Sequence, residues 1–258
     1  FMGPKNGKLH TNAFWAMRTS YFPREYAERM IHSWALNQTD GFMGEFFPLA
    51  MAKKSMKVFN SADDLAFCYT PDTAYFTLDG MFKQGFPKIA SELTLNHLEN
   101  YNFHQEWEIP VAPEAYRRNL DLFGDQFSNF NAGKILLFIE GLAGVSYSVP
   151  EQILKIRDSM PLVWEWMELD IPNGTQSDWT KIRFERNKTF FGVERKKITV
   201  KDSPYPVKID VWLDEKELAG NPSLQGAKFK TLSAERNNSI NIIAEETADI
   251  YTISVPLK

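Results

Sequence analysis

An acid, two amides and a hydroxyl stand among aromatic side chains directly before the most apolar segment of the chain. In FGDQFSNFNAGKILLFIEG, the segment Phe123–Gly141, the polar residues Asp125, Gln126 and Asn129 are interleaved with phenylalanines. Aromatic rings can stack on the C–H faces of a sugar while carboxylates and amides bind its hydroxyl groups. The segment therefore predicts a carbohydrate site, with Gln126 and Asn129 as substrate-binding residues and Asp125 available for acid–base chemistry.

Composition and charge argue against several other partners. The 258 residues are 43% hydrophobic, enough for a sizeable core, and the formal net charge is −4. No basic stripe is present, so we expect no nucleic-acid partner. The longest apolar run, Ile135–Ile139, is too short for a membrane span. Cys68 is the only cysteine and the four histidines lack metal-ligand spacing, so we expect no intrachain disulfide, no metal and no organic cofactor.

The first part of the chain has apolar residues at helical spacing, interrupted at Pro and Gly. Its clearest helix begins with Thr70 as N-cap, Pro71 at the first helical position and Asp72 at the positive end, and runs to Gln84 before Gly85. The other predicted helices are Arg24–Leu36, Glu45–Lys57, Lys88–Glu99, a short one between Pro113 and Leu122, and Ala132–Val145.

The helix Ala132–Val145 is apolar nearly all round, with only Lys134 and Glu140 charged. Such a helix is expected to be surrounded by other helices. We therefore expect an inner ring of helices inside an outer ring, with the loops at the N-terminal ends of the inner helices converging on one cavity. The predicted carbohydrate segment leads directly into this helix and would lie at that cavity.

After Met160 the apolar period becomes two, which is typical of strands. The alternating segments are Trp164–Leu169, Lys181–Arg186, Lys197–Val200, Val207–Leu213, Ser239–Ala244 and Asp249–Val255. Strands at this spacing predict a β-sandwich. The expected fold is therefore α+β and multidomain: α-helical hairpins in residues 1–159, ending in the linker Val149–Met160, and a C-terminal β-sandwich in residues 160–258.

Three segments of the helical part resemble six-hairpin (α/α)6-toroid glycoside hydrolases. They are TPDTAYFTLDGMFKQGF (Thr70–Phe86), LENYNF (Leu98–Phe103) and FSNFNAGKILLFIEGLAG (Phe127–Gly144). The helical part resembles the closing part of the barrel in the processing α-glucosidase and mannosylglycerate hydrolase families. The C-terminal β-domain is similar in position to the one that α-L-rhamnosidases of this architecture carry after the barrel. The resemblance covers Trp15–Pro161, and departs from the family motif at Phe103, where that motif has proline.

The resemblance implies a partial barrel. The family barrel has twelve helices, and roughly half of that number is predicted here. The chain is then expected to be the C-terminal half of a larger enzyme, with the missing N-terminal half of the same polypeptide as a partner.

The resemblance also implies inverting hydrolysis, in which a carboxylic acid protonates the leaving oxygen and a carboxylate base activates water. In the family the base lies between the last two inner helices, a window that here runs from Glu99 to Asn131. Asp125 is the first candidate, Glu99 is the second because it begins the Glu-Asn-Tyr-Asn match, and Glu108 is the third.

The general acid of the family lies about half a barrel further upstream, either outside this chain or at Asp40 or Glu45, the early candidates within it. The residues expected to line sugar subsites are Trp15, Arg18, Tyr69, Asp72 and Trp107. Structural roles remain alternatives for these residues: Asp125 as the acid of a turn, Glu99 as a solvated residue in a last helical turn, and Trp15 as core.

Two other functions compete with hydrolysis. A non-catalytic carbohydrate-binding protein would use the aromatic loops without an acid–base pair. A polysaccharide lyase with a helical toroid would use Tyr, His and Arg, which are close in sequence at His97, Tyr101, His104, Arg117 and Arg118. In each case the expected partner is an oligosaccharide or polysaccharide, and a periplasmic or secreted location is expected from the enzyme class alone.

Overall fold

The computed structural model describes residues 9–58, 68–102, 112–117, 122–148, 150, 153–157, 159–161, 163–172, 179–188, 194–201, 207–212, 229–234 and 240–246. The chain forms two compact units, Phe1–Leu142 and Ala143–Lys258. The sequence placed the division later, between residues 159 and 160. The difference arises because the second unit begins with two strands: β3 (Val145–Ser148), at the end of the predicted last helix, and β4 (Ile153–Arg157), where a linker was expected.

The described part of the first unit is mainly helical. It contains a 3₁₀ helix at Thr11–Arg18 and four α-helices: α1 (Arg24–Met30), α2 (Pro71–Lys83), α3 (Pro87–Asn102) and α4 (Ser128–Leu136). Wider π-helical turns, Ile31–Ala35 and Leu137–Leu142, extend α1 and α4, and a second 3₁₀ helix spans Lys53–Val58.

The limits predicted for α2 are confirmed. Thr70 is the extended N-cap residue and Pro71 opens the helix. Gly85 follows the C-cap with a φ of 84°, a left-handed conformation that glycine adopts without steric cost.

The first 3₁₀ helix and α2 run parallel to each other. Trp15 contacts Phe76, with 4.7 Å between ring centroids. Further along both elements, Arg18 Nε lies 2.6 Å from Asp79 Oδ2. Contacts that advance together in both sequences require the two elements to point in the same direction.

The extended helix α4 runs parallel to α2 on the same argument. A Cβ at Gly133 would lie 3.6 Å from the carbonyl oxygen of Pro71, at the start of α2. A Cβ at Gly141 would lie 2.9 Å from the ring of Phe82, near the end of α2. Since α3 follows α2 after a short connection and packs against it, α2 and α3 form an antiparallel helical hairpin.

The segments that lead into the three parallel elements are joined by backbone pairing. His10 pairs with Met51, Leu49 with Tyr69, and Tyr69 with Tyr116, all antiparallel. Strand β1 (Ala112–Tyr116) pairs with β2 (Leu122–Phe127), which continues directly into α4. The N-terminal ends of the parallel elements therefore share one end of the unit.

Two of the predicted helices are wrong. Glu45–Lys57 is helical only from Lys53, and the region between Pro113 and Leu122 includes parts of strands β1 and β2. The cause of the second error is non-local: Tyr116 and Tyr69 exchange both backbone hydrogen bonds, at 2.8 and 3.0 Å, and a helix there would leave these groups without each other.

The apolar helix is not enclosed on all sides within the described residues. Leu137 and Leu142 are buried, but Ile135 is 57% exposed and Phe138 is 37% exposed. The expectation of all-round burial is therefore wrong for the chain as described.

The described strands of the second unit form two four-stranded sheets. The remaining strands are β5 (Trp166–Pro172), β6 (Trp179–Lys188), β7 (Glu194–Lys201), β8 (Val207–Trp212), β9 (Phe229–Ala234) and β10 (Ile240–Glu246). The sheet orders are β10-β7-β6-β5 and β3-β4-β8-β9, and β4 and β8 form a parallel pair. Five of the alternating segments become strands, whereas Asp249–Val255 lies outside the described residues.

Alternate residues of the first sheet are buried, as the period of two predicts. Met167 of β5 is opposite Phe184 of β6, which is opposite Ile198 of β7, and all three side chains are buried. A toroid and a β-sandwich both stay predictions, since the described helices do not close a ring and no contact between the two sheets is described. In the part of the chain that the structure describes, no helix combines the length and apolar character needed to cross a bilayer.

Candidate functional site

The partly buried side of α2 that holds Tyr75, Asp79 and Lys83 carries an ion-paired carboxylate. Asp79 Oδ2 accepts from Arg18 Nε at 2.6 Å and from Lys83 Nζ at 2.7 Å. The Asp79 side chain is only 7% exposed, whereas those of Arg18 and Lys83 are 31% and 39% exposed. The local sequence places Asp79 and Lys83 on one side of the helix because residues four apart are neighbours there.

Aromatic rings lie beside this ion pair. The guanidinium carbon of Arg18 lies 5.3 Å from the ring centroid of Tyr75 and 4.7 Å from that of Phe76. Phe76 in turn contacts Trp15, whose buried Nε1 has no hydrogen-bond partner among the described residues. A cation over aromatic faces is attracted by the electron-rich ring, so Arg18 is held both by Asp79 and by the rings.

A second carboxyl group reaches the same place from the π-helical turn after α4. Glu140 hydrogen-bonds the Tyr75 side chain and senses the charge of Asp79. Burial, reinforced by the negative charge of Asp79, raises the pKa of Glu140 above the usual carboxyl value. Burial, then the charges of Asp79 and Glu140, raise the pKa of Tyr75 to about 12.

These seven residues form what we call the α2 cluster: Trp15, Arg18, Tyr75, Phe76, Asp79, Lys83 and Glu140. Its chemistry is that of two carboxyl groups in different environments. Asp79 is bound by two cations, whereas Glu140 is biased towards its neutral form by burial and by the neighbouring negative charge. Such a separation is how sites obtain an acid and a carboxylate from the same residue type.

Two of the predicted substrate-binding residues, Trp15 and Arg18, belong to the α2 cluster. Asp72 lies in the first turn of α2. Burial lowers the pKa of His10, and the negative charge of the nearby Asp72 offsets only part of that decrease. Tyr69 is fully buried, stacked 3.9 Å from Phe46, and its hydroxyl accepts the backbone N–H of Glu45 at 2.8 Å. This is the placement of a core residue.

The predicted carbohydrate segment is described only by its backbone. Asp125 and Gln126 lie in β2, where the sequence predicted a loop, and Asn129 is in the first turn of α4. Gly124 of this strand has a φ of 78°, and a Cβ there would collide with the side chain of Glu114. The positions of Asp125 and Asn129 place them at the shared end of the parallel helices.

The other predicted residues are dispersed. Glu99 is exposed near the end of α3, Asp40 is half-buried and Glu45 is exposed. Trp107, Glu108, His104 and Arg118 lie outside the described residues. His97, one of the residues named for the lyase alternative, is fully buried, and its Nδ1 donates to the carbonyl of Phe47 at 2.9 Å. No described contact therefore favours that alternative.

Sequence reasoning missed Tyr75, Asp79 and Glu140. A signal for the first two exists: Tyr75, Asp79 and Lys83 recur at spacing four on the best-defined helix. Glu140 is marked only as a lone acid in an apolar helix, and its approach to Asp79 depends on how two helices pack. In the described part of the chain, no group of three His, Cys, Asp or Glu side chains is arranged to hold a metal ion.

Comparison with known proteins does not assign the chain to a family. No family model matches it, and no curated protein is similar enough to count as a match.

Proposed function

We propose that the chain is a glycoside hydrolase, or the C-terminal portion of one, that cleaves a glycosidic bond by inversion with a carboxyl acid–base pair. The observation that carries the proposal is the pKa of Glu140, raised by burial beside the ion-paired Asp79 and next to aromatic rings. A raised pKa favours the protonated carboxyl, which is the form that can protonate a leaving oxygen.

Five members of the α2 cluster then have a part in this reaction. Glu140 is the general acid, and Tyr75 orients it through their hydrogen bond. Burial, reinforced by the charge of Asp79, keeps the pKa of Glu140 high. Asp79 also fixes Arg18, whose guanidinium binds sugar hydroxyls beside Trp15. Asp125 remains our first candidate for the base.

The parallel arrangement of the first 3₁₀ helix, α2 and α4 supports the partial barrel. Inner helices of a toroid all point in one direction and alternate with outer helices that return. The α2–α3 hairpin has this form, and the segments leading into the three parallel elements meet at one end. The missing part of the ring would come from the N-terminal half of the same polypeptide.

The Glu140→Gln variant tests the proposed acid. The amide keeps the shape but cannot donate a proton, so we expect kcat to fall by about 10²–10⁴-fold with substrate binding retained. Hydrolysis by the native polypeptide is measured as release of reducing ends from a panel of oligosaccharides, and the product anomer is followed by NMR. The matched control is Glu92→Gln, an exposed glutamate of α3, which should leave kcat unchanged.

The pH profile provides an independent readout. The general acid must be protonated, so activity should fall as pH rises through the raised pKa of Glu140. Full turnover by Glu140→Gln would exclude Glu140 as the acid. An unsaturated, UV-absorbing product would identify a lyase instead, and Asp125→Asn should abolish turnover without loss of binding if Asp125 is the base.

A non-catalytic sugar-binding role is the second candidate, and one observation favours it. Both cations bind the same oxygen of the nearly buried Asp79, as in a structural ion pair. Saturable sugar binding that depends on Trp15 and Arg18, without turnover of any sugar in the panel, would support this role over hydrolysis.

A further inference from the structure

The second unit exposes two tryptophans on the same side of its first sheet. Trp166 of β5 is 58% exposed and Trp179 of β6 is 46% exposed. The opposite side of these strands is buried through Met167, Ile182 and Phe184. Because side chains alternate along a strand, Trp166 and Trp179 lie on the face that points away from that core.

The strand register defines the residues that β5 and β6 contribute to this face, which continues onto β7 with Lys197 opposite Glu185 and Lys201 opposite Lys181. Trp166 is opposite Glu185, Glu168 opposite Arg183, Asp170 opposite Lys181, and Pro172 opposite Trp179. We call these eight residues the β5–β6 face. The two tryptophans stand at its opposite ends, separated along the strands by six residues, or about 20 Å.

Ion pairs order the middle of the β5–β6 face. Arg183 donates to Glu168 from Nη1 and to Glu185 from Nε, both at 2.8 Å. Its guanidinium carbon lies 5.1 Å from the ring centroid of Trp166. Arg183 therefore fixes Trp166 from one side, and the exposed part of the indole stays accessible from another.

The charges of the β5–β6 face nearly cancel. It has three acids, Glu168, Asp170 and Glu185, and two bases, Lys181 and Arg183. The tryptophans are separated by charged residues, unlike the contiguous apolar patch of a protein–protein interface.

We propose that the β5–β6 face binds a single chain of a neutral polysaccharide, lying along the strands from Trp166 to Trp179. Each indole stacks on the C–H face of one sugar, and the carboxylates and cations between them hydrogen-bond the hydroxyls of the sugars in between. This site is separate from the α2 cluster and does not depend on the hydrolysis proposed there.

Binding is measured with the full chain, by calorimetry with neutral gluco- and manno-oligosaccharides of increasing length and by retention in gels that contain the corresponding polysaccharides. Affinity should rise with length until the oligosaccharide spans both tryptophans. Trp166→Ala and Trp179→Ala should each weaken binding of the long ligands by about tenfold. The control is Tyr21→Ala, which removes a 94% exposed aromatic of the first unit and should have no effect.

Several results would overturn the proposal. They are unchanged affinity in both tryptophan variants, no saturable binding of any neutral glycan, and stronger, salt-sensitive binding of a uronate polymer. Unchanged thermal unfolding of the variants shows that they fold, and Trp166→Phe, which keeps a ring, should retain part of the affinity. Tryptophan-dependent binding in a protein without turnover would sustain this proposal while the proposed hydrolysis fails.

Discussion

At the residue scale, burial acts on Glu140 and His97 in opposite directions. Desolvation disfavours whichever form is charged, so it raises the pKa of the carboxyl group and lowers that of the imidazole. Burial lowers the pKa of His97 to about 3, with a smaller contribution from the positive charge of Lys134. Both shifts make folding stability depend on pH, with consequences that can be measured separately.

His97 should destabilise the fold in acid. Its pKa is lower in the folded state than in the unfolded chain, so stability is lost as pH falls from about 6.5 towards 3, by on the order of 4 kcal/mol for complete protonation. Urea unfolding at pH 7 and pH 4.5 should show this loss in the wild type and a smaller one in His97→Gln. The exposed His32 is the control position, since His32→Gln should keep the full wild-type dependence.

The buried Glu140 carboxyl should lower the stability of the fold at pH values above its usual pKa. A carboxyl whose pKa is raised in the folded state costs stability as pH rises from its usual pKa through the raised one. We therefore expect Glu140→Gln to match or exceed the stability of the wild type at pH 8 and to lose that advantage at pH 4. A variant less stable than the wild type at pH 8 would contradict the assigned shift.

At the element scale, the parallel packing of α4 on α2 depends on two glycines that differ in their surroundings. A Cβ at Gly133 would meet ordinary van der Waals contacts at 3.6 Å, whereas one at Gly141 would lie 2.9 Å from the buried ring of Phe82. The structure thus identifies Phe82 as the side chain against which Gly141 packs.

The two positions should respond oppositely to alanine. Gly133→Ala reduces the freedom of the unfolded chain without a clash, so we expect a gain of about 0.5–1 kcal/mol in the free energy of unfolding. Gly141→Ala must displace Phe82, and we expect a loss of about 1–3 kcal/mol. Chemical denaturation of both variants tests this, and a stabilising Gly141→Ala would refute the packing of the two helices described here.

At the scale of the whole molecule, the chain divides into a helical unit and a β unit. Ile135 and Phe138 leave apolar surface on the helical unit, and the proposed barrel needs further helices to cover it. Large apolar side chains exposed on one helix face are typical of an interaction surface.

The proposed barrel predicts the size of the native polypeptide. An immunoblot of the source with an antibody against this chain should detect a band well above 29.8 kDa, the mass of these 258 residues. A band at 29.8 kDa would leave no polypeptide to complete the ring, and the sugar-binding role would then replace hydrolysis as the leading proposal.

The sequence by itself determined the features that depend on neighbouring residues. Pro71 and Gly85 define the limits of α2, because the fixed φ of proline and a left-handed glycine act within one turn of the chain. Alternation in segments such as Lys181–Arg186 likewise predicted strands of the second unit. Local periodicity is sufficient for such elements because a single face of each is buried.

Only the tertiary structure decided the features that join distant residues. Strand β1 forms through pairing with Tyr69, and the α2 cluster forms because three parallel elements bring Arg18, Asp79 and Glu140 to one place. The pKa of Glu140 depends on burial and on the charge of a residue on another helix, and neither is encoded in its own neighbourhood. Helix direction and packing therefore determine this candidate site, whereas the sequence supplied only its residue types.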